Sequence, residues 1–219
     1  DTDTHPFPVS LATPQRIPAD RRSLSMLAAI TSTPSPRDRL LDAALELFAT
    51  HGYQAIGLRD LAGHVGVQAG SLYHHIENKQ CLLFELIESA LSDLLADTKQ
   101  RMKGASTTGE RVRRFVQAFV AFSQNDRHRL VLISREFVNL NDDNKQQAHA
   151  LKAAYCEQLK HIIADAYQGN GKPEEEIAFI THAVIGMLYG QAQWSDVQMT
   201  EPQLTDVLTR CALGIIRSE

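Results

Sequence analysis

The sequence predicts an all-α protein, with an N-terminal three-helix helix-turn-helix domain followed by a larger helical bundle. Three observations support this fold class. Apolar residues recur at helical spacing through most of the chain, capping residues stand where helices begin, and Gly or Pro separates the periodic segments. No alternation of apolar and polar residues bounded by hairpin turns occurs, so the sequence predicts no strand.

The composition excludes several classes of protein. Hydrophobic residues make up 43% of the 219 residues, yet no apolar run approaches the roughly 18–20 residues that span a membrane. The net charge of −4 excludes a protein that coats nucleic acid nonspecifically, so any DNA contact must have a small footprint. Cys81, Cys156 and Cys211 lie far apart, which predicts reduced thiols in a cytoplasmic protein without disulfides or a metal site.

Residues 1–33 are predicted to form a flexible arm, because four prolines interrupt them and no period is sustained. They lack the basic start and apolar centre of a secretion signal. Met26 stands just before the ordered pattern, and one hypothesis makes it the translation start. Arginines in this arm could touch a phosphate backbone, although a solvated tail is the simpler interpretation.

Three short helices are predicted within residues 34–80, the first of them over about residues 36–50. The second covers Leu58–Val65 and the third about residues 68–75, with Gly66 in the turn between them. Two short helices joined by a Gly-containing turn form a helix-turn-helix. The third helix is too short to build a core alone, and its small N-terminal residues would allow close approach to a major groove.

The remaining helices are predicted to form a bundle over residues 81–219. Asn78 is a plausible cap for the fourth helix, and Thr107 with Glu110 and Thr200 with Gln203 form capping-box pairs for later ones. After the helix that starts near Thr107, helical patterns cover about residues 126–137, 143–168, 173–196 and 201–217.

On the residues alone, DNA binding competes with two other interpretations. An enzyme would need reactive groups at defined spacing, but no HExxH, GxSxG or Gly-rich phosphate loop is present. The acidic run at residues 174–176 is explained by its place at a helix start. The third interpretation is an all-helical protein-interaction module, in which Tyr73, His74 and His75 are ordinary surface residues.

A set of motifs between residues 44 and 83 carries a resemblance to a known family. The motifs are Ala44…Leu47-Phe48…His51-Gly52-Tyr53, Leu58-Arg59-Asp60-Leu61-Ala62, Val65-Gly66-Val67, Gly70-Ser71-Leu72-Tyr73-His74-His75-Ile76 and Asn78-Lys79…Leu82-Leu83. This stretch resembles the DNA-binding domain of the tetracycline-repressor (TetR) family of transcription regulators. The resemblance implies DNA contacts from Arg37, Gly57, Leu58, Arg59, Gln68, Ala69, Gly70, Ser71, Tyr73, His74, His75 and Lys79. It implies no catalytic residue, cofactor or metal.

Two positions depart from the family pattern. Gly57 stands where the family usually has Thr or Ser, which caps the second helix and supplies a hydroxyl. Gln68 replaces a frequent Ser at the start of the recognition helix, and its amide could pair with adenine. The segment between Pro34 and Phe84 has four basic and five acidic residues, so the few cations facing DNA, with Arg59 and Lys79 expected among them, should matter individually.

The resemblance also implies a homodimer, a palindromic operator and a ligand pocket in the second domain. Dimer contacts are expected from the last two helices, although some of their apolar residues belong to the internal core of one subunit. The candidates are Ala178, Ile180, Ala183, Val184, Met187, Leu188, Gln191, Leu204, Val207, Leu208, Cys211, Leu213 and Ile216. Pocket candidates are Phe115, Phe119, Phe122, Phe137, Tyr155, His182, Tyr189 and Trp194. The expected function is a cytoplasmic repressor released by a small apolar effector, such as a fatty acyl or aromatic compound. The fourth helix is expected to couple the two sites.

Overall fold

The computed structural model describes residues 35–72, 76–167, 171–194 and 198–217. The residues from Pro36 onward form one compact unit. Within the described ranges every regular element is helical, which confirms the predicted fold class. The α-helices are α1 Pro36–His51, α2 Leu58–Val65, α3 Ala69–Leu72, α4 Lys79–Met102, α5 Thr108–Asn125, α6 Arg127–Val131, α7 Asp142–Ala166, α8 Glu174–Trp194 and α9 Glu201–Arg217.

The first three helices form the predicted helix-turn-helix arrangement. The α2 helix has the predicted bounds, and the backbone N–H of Gly57 donates to Asp60 Oδ2 at 2.7 Å. Gly66 ends α2 in the left-handed conformation, with φ 72°, which glycine adopts without strain. The α3 helix is described over four residues, and residues 73–75, which the sequence also assigned to it, lie outside the described ranges.

The predicted caps of the longer helices are confirmed, with one change. Asn78 Oδ1 accepts from Cys81 N–H at 2.9 Å at the start of α4. Thr107 Oγ1 accepts from the N–H of Glu110, but the Glu110 carboxylate returns its bond to the N–H of Ser106. The capping box of Thr200 and Gln203 is present in both directions. Local hydrogen bonding therefore fixes where these helices begin.

The C-terminal helices pack around a continuous apolar core. The α4 helix packs against α5 and α7, α9 lies along α5, and α8 packs against α7 and α9. Phe115, Phe119 and Val116 of α5 are fully buried between these helices. No helix within the described ranges is long and apolar enough to cross a membrane.

Residues 126–137 are helical, as the sequence predicts, but their winding changes along the segment. The α6 helix is followed by a π-helix, Leu132–Glu136, and a 3-10 turn, Phe137–Asn139. We call residues 132–139 the π/3-10 segment. Its altered winding lets Phe137 face the bundle while Glu136 faces the end of α1, and π-helical turns of this kind are frequent at functional sites.

Candidate DNA-binding surface and ligand cavity

The N-terminal part of the recognition helix presents polar and small residues to the surface. Gln68, Gly70 and Ser71 are exposed, whereas Leu72 is buried in the core of the N-terminal helices. This is the division between core and surface that the sequence predicts. The side chain of Ala69 and all of Tyr73, His74 and His75 lie outside the described residues, so their DNA contacts stay predictions.

The cations near this surface differ in availability. Arg59 is exposed and makes no ion pair with any described residue. Arg37 pairs with Glu85 at 2.7 Å across the α1–α4 contact. Gly57 and Leu58 are half-buried at the start of α2. Arg59 is therefore the cation among these residues that can meet a phosphate without first breaking another contact.

Lys79 is held against the protein by two interactions. Its Nζ donates to the carbonyl oxygen of Tyr53 at 2.5 Å and lies 4.0 Å from the centre of the Tyr53 ring. Partial burial lowers the pKa of Lys79, and the charge of Asp60 opposes that shift. A phosphate contact from Lys79 stays a prediction, and it would require the ammonium group to leave or share these partners.

The π/3-10 segment is bonded to the end of α1 through a buried carboxylate. Glu136 is 4% exposed, and its Oε2 accepts from the N–H of Tyr53 at 3.2 Å and from Asn139 Nδ2 at 2.8 Å. Its Oε1 accepts from Arg135 Nε at 2.7 Å. The same guanidinium donates to the carbonyl of Ala49 at 2.6 Å, where a cation is favoured by the helix dipole.

Amide side chains extend this contact. Gln54 Nε2 donates to Asn139 Oδ1 at 2.9 Å, and Gln80 Nε2 donates to the Asn139 carbonyl at 2.7 Å. Gln80 Oε1 in turn accepts from the N–H of Asn141 at 3.1 Å. A movement of the π/3-10 segment would therefore displace the contacts of both α1 and the start of α4.

The opposite side of the π/3-10 segment lines a cavity of about 600 Å³, which is within the usual size range of ligand pockets. The remaining wall comes from α4, α7 and α8. The lining residues are Leu91, Ile133, Ser134, Phe137, Val138, Lys145, His149, Lys152, Tyr155, Cys156, Ile185, Gly186, Tyr189 and Gln193.

Three of the eight predicted ligand contacts, Phe137, Tyr155 and Tyr189, line this cavity. Phe115 and Phe119 stand behind the wall. Phe115 stacks on Tyr155 with ring centroids 4.9 Å apart, and Phe119 packs on Tyr189 at 5.0 Å. These phenylalanines therefore hold the orientation of the two tyrosines that face the cavity.

The other three predicted contacts lie elsewhere. Phe122 is buried in α5 outside the cavity lining, near the guanidinium of Arg129. His182 is exposed, and Trp194 is 89% exposed, so neither lies in the cavity wall. An aromatic residue on an apolar helix pattern indicates burial or an interface, but it does not indicate which one.

The sequence prediction missed a group of basic residues at one side of the cavity. Lys145, His149 and Lys152 lie on one face of α7, at successive helical turns. Lys152 Nζ lies 4.6 Å from the centre of the Phe137 ring, and the His149 ring is 4.8 Å from the same ring. Neither lysine pairs with a carboxylate of the described residues. The spacing of four and three residues was visible in the sequence, but it is equally typical of a solvated helix face.

Two family models match the chain. The model described as bacterial regulatory proteins of the tetR family matches residues 40–86, which contain the helix-turn-helix. The model described as a tetracyclin repressor-like C-terminal domain matches residues 105–216, which contain most of the cavity.

The chain is similar to curated repressors and to solved regulators. The transcriptional repressor KstR2 of Mycobacterium tuberculosis is 32% identical over 170 residues, covering 73% of this chain and 81% of that protein. The match to KstR2 of Rhodococcus jostii is 30% identical but spans only 52% of that protein.

Two solved structures have the same fold. The TetR-family regulator PfmR of Thermus thermophilus is 27% identical, with a TM-score of 0.71 over 83% of this chain and 98% of that one. AibR, solved with isovaleryl coenzyme A and operator DNA, is 20% identical with a TM-score of 0.71, covering 80% of this chain and 96% of that one. Together with the family models, these matches show that the chain belongs to the TetR family of DNA-binding transcriptional regulators.

Proposed function

We propose that the protein is a homodimeric repressor that binds a palindromic operator and leaves it when an amphipathic anion occupies the cavity. One observation carries this proposal. The π/3-10 segment forms part of the cavity wall on one side and bonds the end of α1 on the other. A ligand that moves this segment would therefore change the position of the helix-turn-helix.

Contacts with the operator are assigned to the exposed start of the recognition helix and to nearby cations. Gln68, Gly70 and Ser71 would face base edges, and Arg59 would bind a phosphate. Because the N-terminal domain has one more acidic than basic residue and so no net positive charge, its affinity for nonspecific DNA should be weak. Loss of Arg59 should lower the log–log salt slope of binding by roughly one.

The dimer contact is assigned to one face of α8 and the adjoining face of α9. On α8, Phe179 is 76% exposed and Trp194 is 89% exposed. These large apolar side chains lie in a stripe with Ala183, Gly186 and Gly190, and small residues let two helices approach closely. A second copy of the chain would cover this stripe.

Several residues that the sequence assigned to the dimer contact are instead core residues of the protomer. Ile180, Val184 and Leu188 are buried on the inner face of α8. Leu204, Leu208 and Ile216 are likewise buried on the inner face of α9. On α9, the outward positions are Val207, Cys211 and Gly214, of which Cys211 and Gly214 are exposed.

Gly190→Arg is expected to convert the dimer to a monomer and to abolish operator binding. A Cβ added at Gly190 meets no described atom outside its own stretch of helix within 4 Å, so the protomer leaves room for a side chain to begin there. Replacing a glycine inside a helix also adds about 0.5–1 kcal/mol of helix stability. Two arginines facing each other would oppose dimerisation. Sedimentation and light scattering measure the oligomeric state, with Gly190→Ala as the matched control, and a stable dimer of the arginine variant would contradict the proposed interface.

The cavity suits a ligand that is mostly apolar and has one negative charge. Its wall combines aliphatic and aromatic side chains with Lys145, His149 and Lys152, and its described lining contains no Asp or Glu. The sequence predicted an apolar effector. The three basic residues of the wall indicate that this effector also carries a negative charge. The AibR complex with isovaleryl coenzyme A, an acyl group on a phosphate-bearing carrier, supports the same chemistry.

Lys152→Gln is expected to raise the concentration of an anionic ligand needed to release the operator by about tenfold or more, because a charge-assisted hydrogen bond contributes about 1.5–3 kcal/mol. Stearate and palmitoyl-coenzyme A are suitable probes, with release followed by fluorescence anisotropy of labelled operator. Lys160→Gln is the matched control, since Lys160 lies on the same helix but pairs with Glu174 at 2.7 Å outside the cavity lining. Equal release curves for both variants and the wild type would exclude the anionic subsite.

The proposed mechanism is a shift between two populations of the dimer. DNA favours the spacing of the two recognition helices that fits one operator, and the ligand favours another spacing. Each ligand then weakens the binding of the other by the same factor. The α4 helix, expected from the sequence to couple the sites, starts beside Tyr53 and contributes Leu91 to the cavity wall. The π/3-10 segment provides a second connection.

Membership of a regulatory family favours this function over an interaction module without DNA binding. We assign the protein no catalytic residue, cofactor or metal, and we place it in the cytoplasm with its operator. The domain boundaries that accompany this proposal are residues 1–33 for the arm, 34–80 for the DNA-binding domain and 81–219 for the ligand-binding and dimerisation domain.

A further inference from the structure

Tyr155 lines the cavity, and its hydroxyl oxygen is shielded from solvent with no hydrogen-bond partner among the described residues. Tyr155 is 2% exposed and belongs to the cavity lining. No described residue bonds its Oη. A buried hydroxyl without a partner costs about 1–3 kcal/mol, so phenylalanine would be the more stable residue here unless a ligand binds the hydroxyl group.

The position of this hydroxyl is fixed by packing. The Tyr155 ring stacks on Phe115 with an interplanar angle of 29°, and Phe115 itself is fully buried in α5. Burial also raises the pKa of Tyr155 well above its usual value, with the nearby Tyr189 and Cys156 adding to the shift. Tyr155 is therefore a neutral O–H donor at all ordinary pH values.

The basic residues and Tyr155 occupy different depths of the same helix face. Lys152, one turn before Tyr155 on α7, is half-buried, whereas Tyr155 is buried. A charged oxygen at the depth of Tyr155 would lose its hydration, which is costly, whereas beside the half-buried Lys152 it would keep more of it. A neutral acceptor loses far less hydration, and a single O–H donor satisfies it.

We propose that Tyr155 is a specificity-determining residue, whose hydroxyl donates to an uncharged oxygen, a carbonyl or a hydroxyl, within the apolar part of the effector. This inference rests on the ligand cavity of the proposed function. The cavity then selects oxygenated amphiphiles over hydrocarbon chains that carry the same anionic end. The hydroxyl provides this selection because any ligand without an acceptor leaves it unpaired.

The first test compares stearate with a set of oxostearates whose ketone stands at successive positions along the chain. Calorimetric titration of the full-length protein should give at least one oxostearate that binds about tenfold tighter than stearate, as expected for one additional hydrogen bond in a buried site. In Tyr155→Phe this preference should fall below about twofold, because the substitution keeps the ring and its packing on Phe115 and removes only the hydroxyl group.

The second test needs no ligand and has a matched control in the same chain. The hydroxyl of Tyr167 donates to the carbonyl of Ile216, so Tyr167→Phe should lower the melting temperature by roughly 2–4 °C. Tyr155→Phe should leave the melting temperature unchanged or raise it, since it removes a hydroxyl that has no partner. Both variants are measured by thermal unfolding in ligand-free buffer.

The outcomes separate this inference from the proposal on which it rests. If stearate binds but no ketone is preferred, or if the preference persists in Tyr155→Phe, the role of Tyr155 is overturned and the anionic ligand class remains. A fall in melting temperature equal to that of Tyr167→Phe also overturns it, because the hydroxyl would then be bonded within the protein. If no acid binds the wild type, the proposed ligand class fails, and this inference fails with it.

Discussion

Replacing Gly70 by glutamate is expected to lower the affinity for the operator by at least about 100-fold while leaving the fold intact. Gly70 is exposed at the start of the recognition helix, and a Cβ added there has no described atom within 4 Å. Glutamate is also a better helix former than glycine. The loss of affinity would come from a carboxylate placed against the DNA phosphates, where like charges cost several kcal/mol.

The control for Gly70→Glu is Gly109→Glu. Gly109 lies in the first turn of α5, and a Cβ added there also has no described atom within 4 Å. Both variants change the net charge equally, but Gly109 lies outside the helix-turn-helix. Fluorescence anisotropy gives operator affinity, and circular dichroism confirms the fold. If Gly70→Glu bound the operator as tightly as Gly109→Glu, the assignment of α3 as the recognition helix would be wrong.

Glu136→Ala is expected to destabilise the protein by about 1–3 kcal/mol and to weaken the response of DNA binding to ligand. The substitution removes the acceptor of the Tyr53 N–H, Asn139 Nδ2 and Arg135 Nε together. The backbone N–H of Tyr53 is the most costly loss, because it is buried and a buried donor without an acceptor is penalised. Urea unfolding measures the free energy of unfolding.

The coupling effect is measured separately from stability. In Glu136→Ala, direct binding of stearate should be unchanged, while operator release should need a higher stearate concentration than in the wild type. Glu136→Gln is the matched control, since its amide oxygen can still accept from Tyr53 and only the charge beside Arg135 is lost. Unchanged stability and an unchanged release curve in Glu136→Ala would show that the π/3-10 segment does not connect the two sites.

Local features of the fold could be predicted from the sequence, because they depend on neighbouring residues. The caps at Asn78, Thr107 and Thr200 and the turn at Gly66 each involve residues within a few positions of one another. The π/3-10 segment could not be predicted in this way. Its π and 3-10 geometry occurs together with hydrogen bonds that join Arg135 and Glu136 to the end of α1. That part of the chain lies more than 80 positions earlier.

The candidate ligand site was predicted only in part, for a related reason. Phe137, Tyr155 and Tyr189 were among the candidates because the family resemblance implied a pocket and aromatic residues suit its wall, and all three line the cavity. Lys145 and Lys152 were missed because their spacing also fits a solvated face, and only the packing of other elements places them at a cavity. Which element packs against an apolar helix face depends on the tertiary structure. The periodicity of a single helix therefore does not predict it.

Selection of random duplex DNA by the purified full-length protein tests the central claim most directly. The account predicts enrichment of a palindrome whose half-sites lie about 34–36 Å apart, or a multiple of that distance, as two recognition helices on a dimer require. Gly109→Glu should recover the same palindrome, and Gly70→Glu should recover none. Absence of any enriched sequence with ligand-free wild-type protein, at both low and moderate salt, would contradict the account.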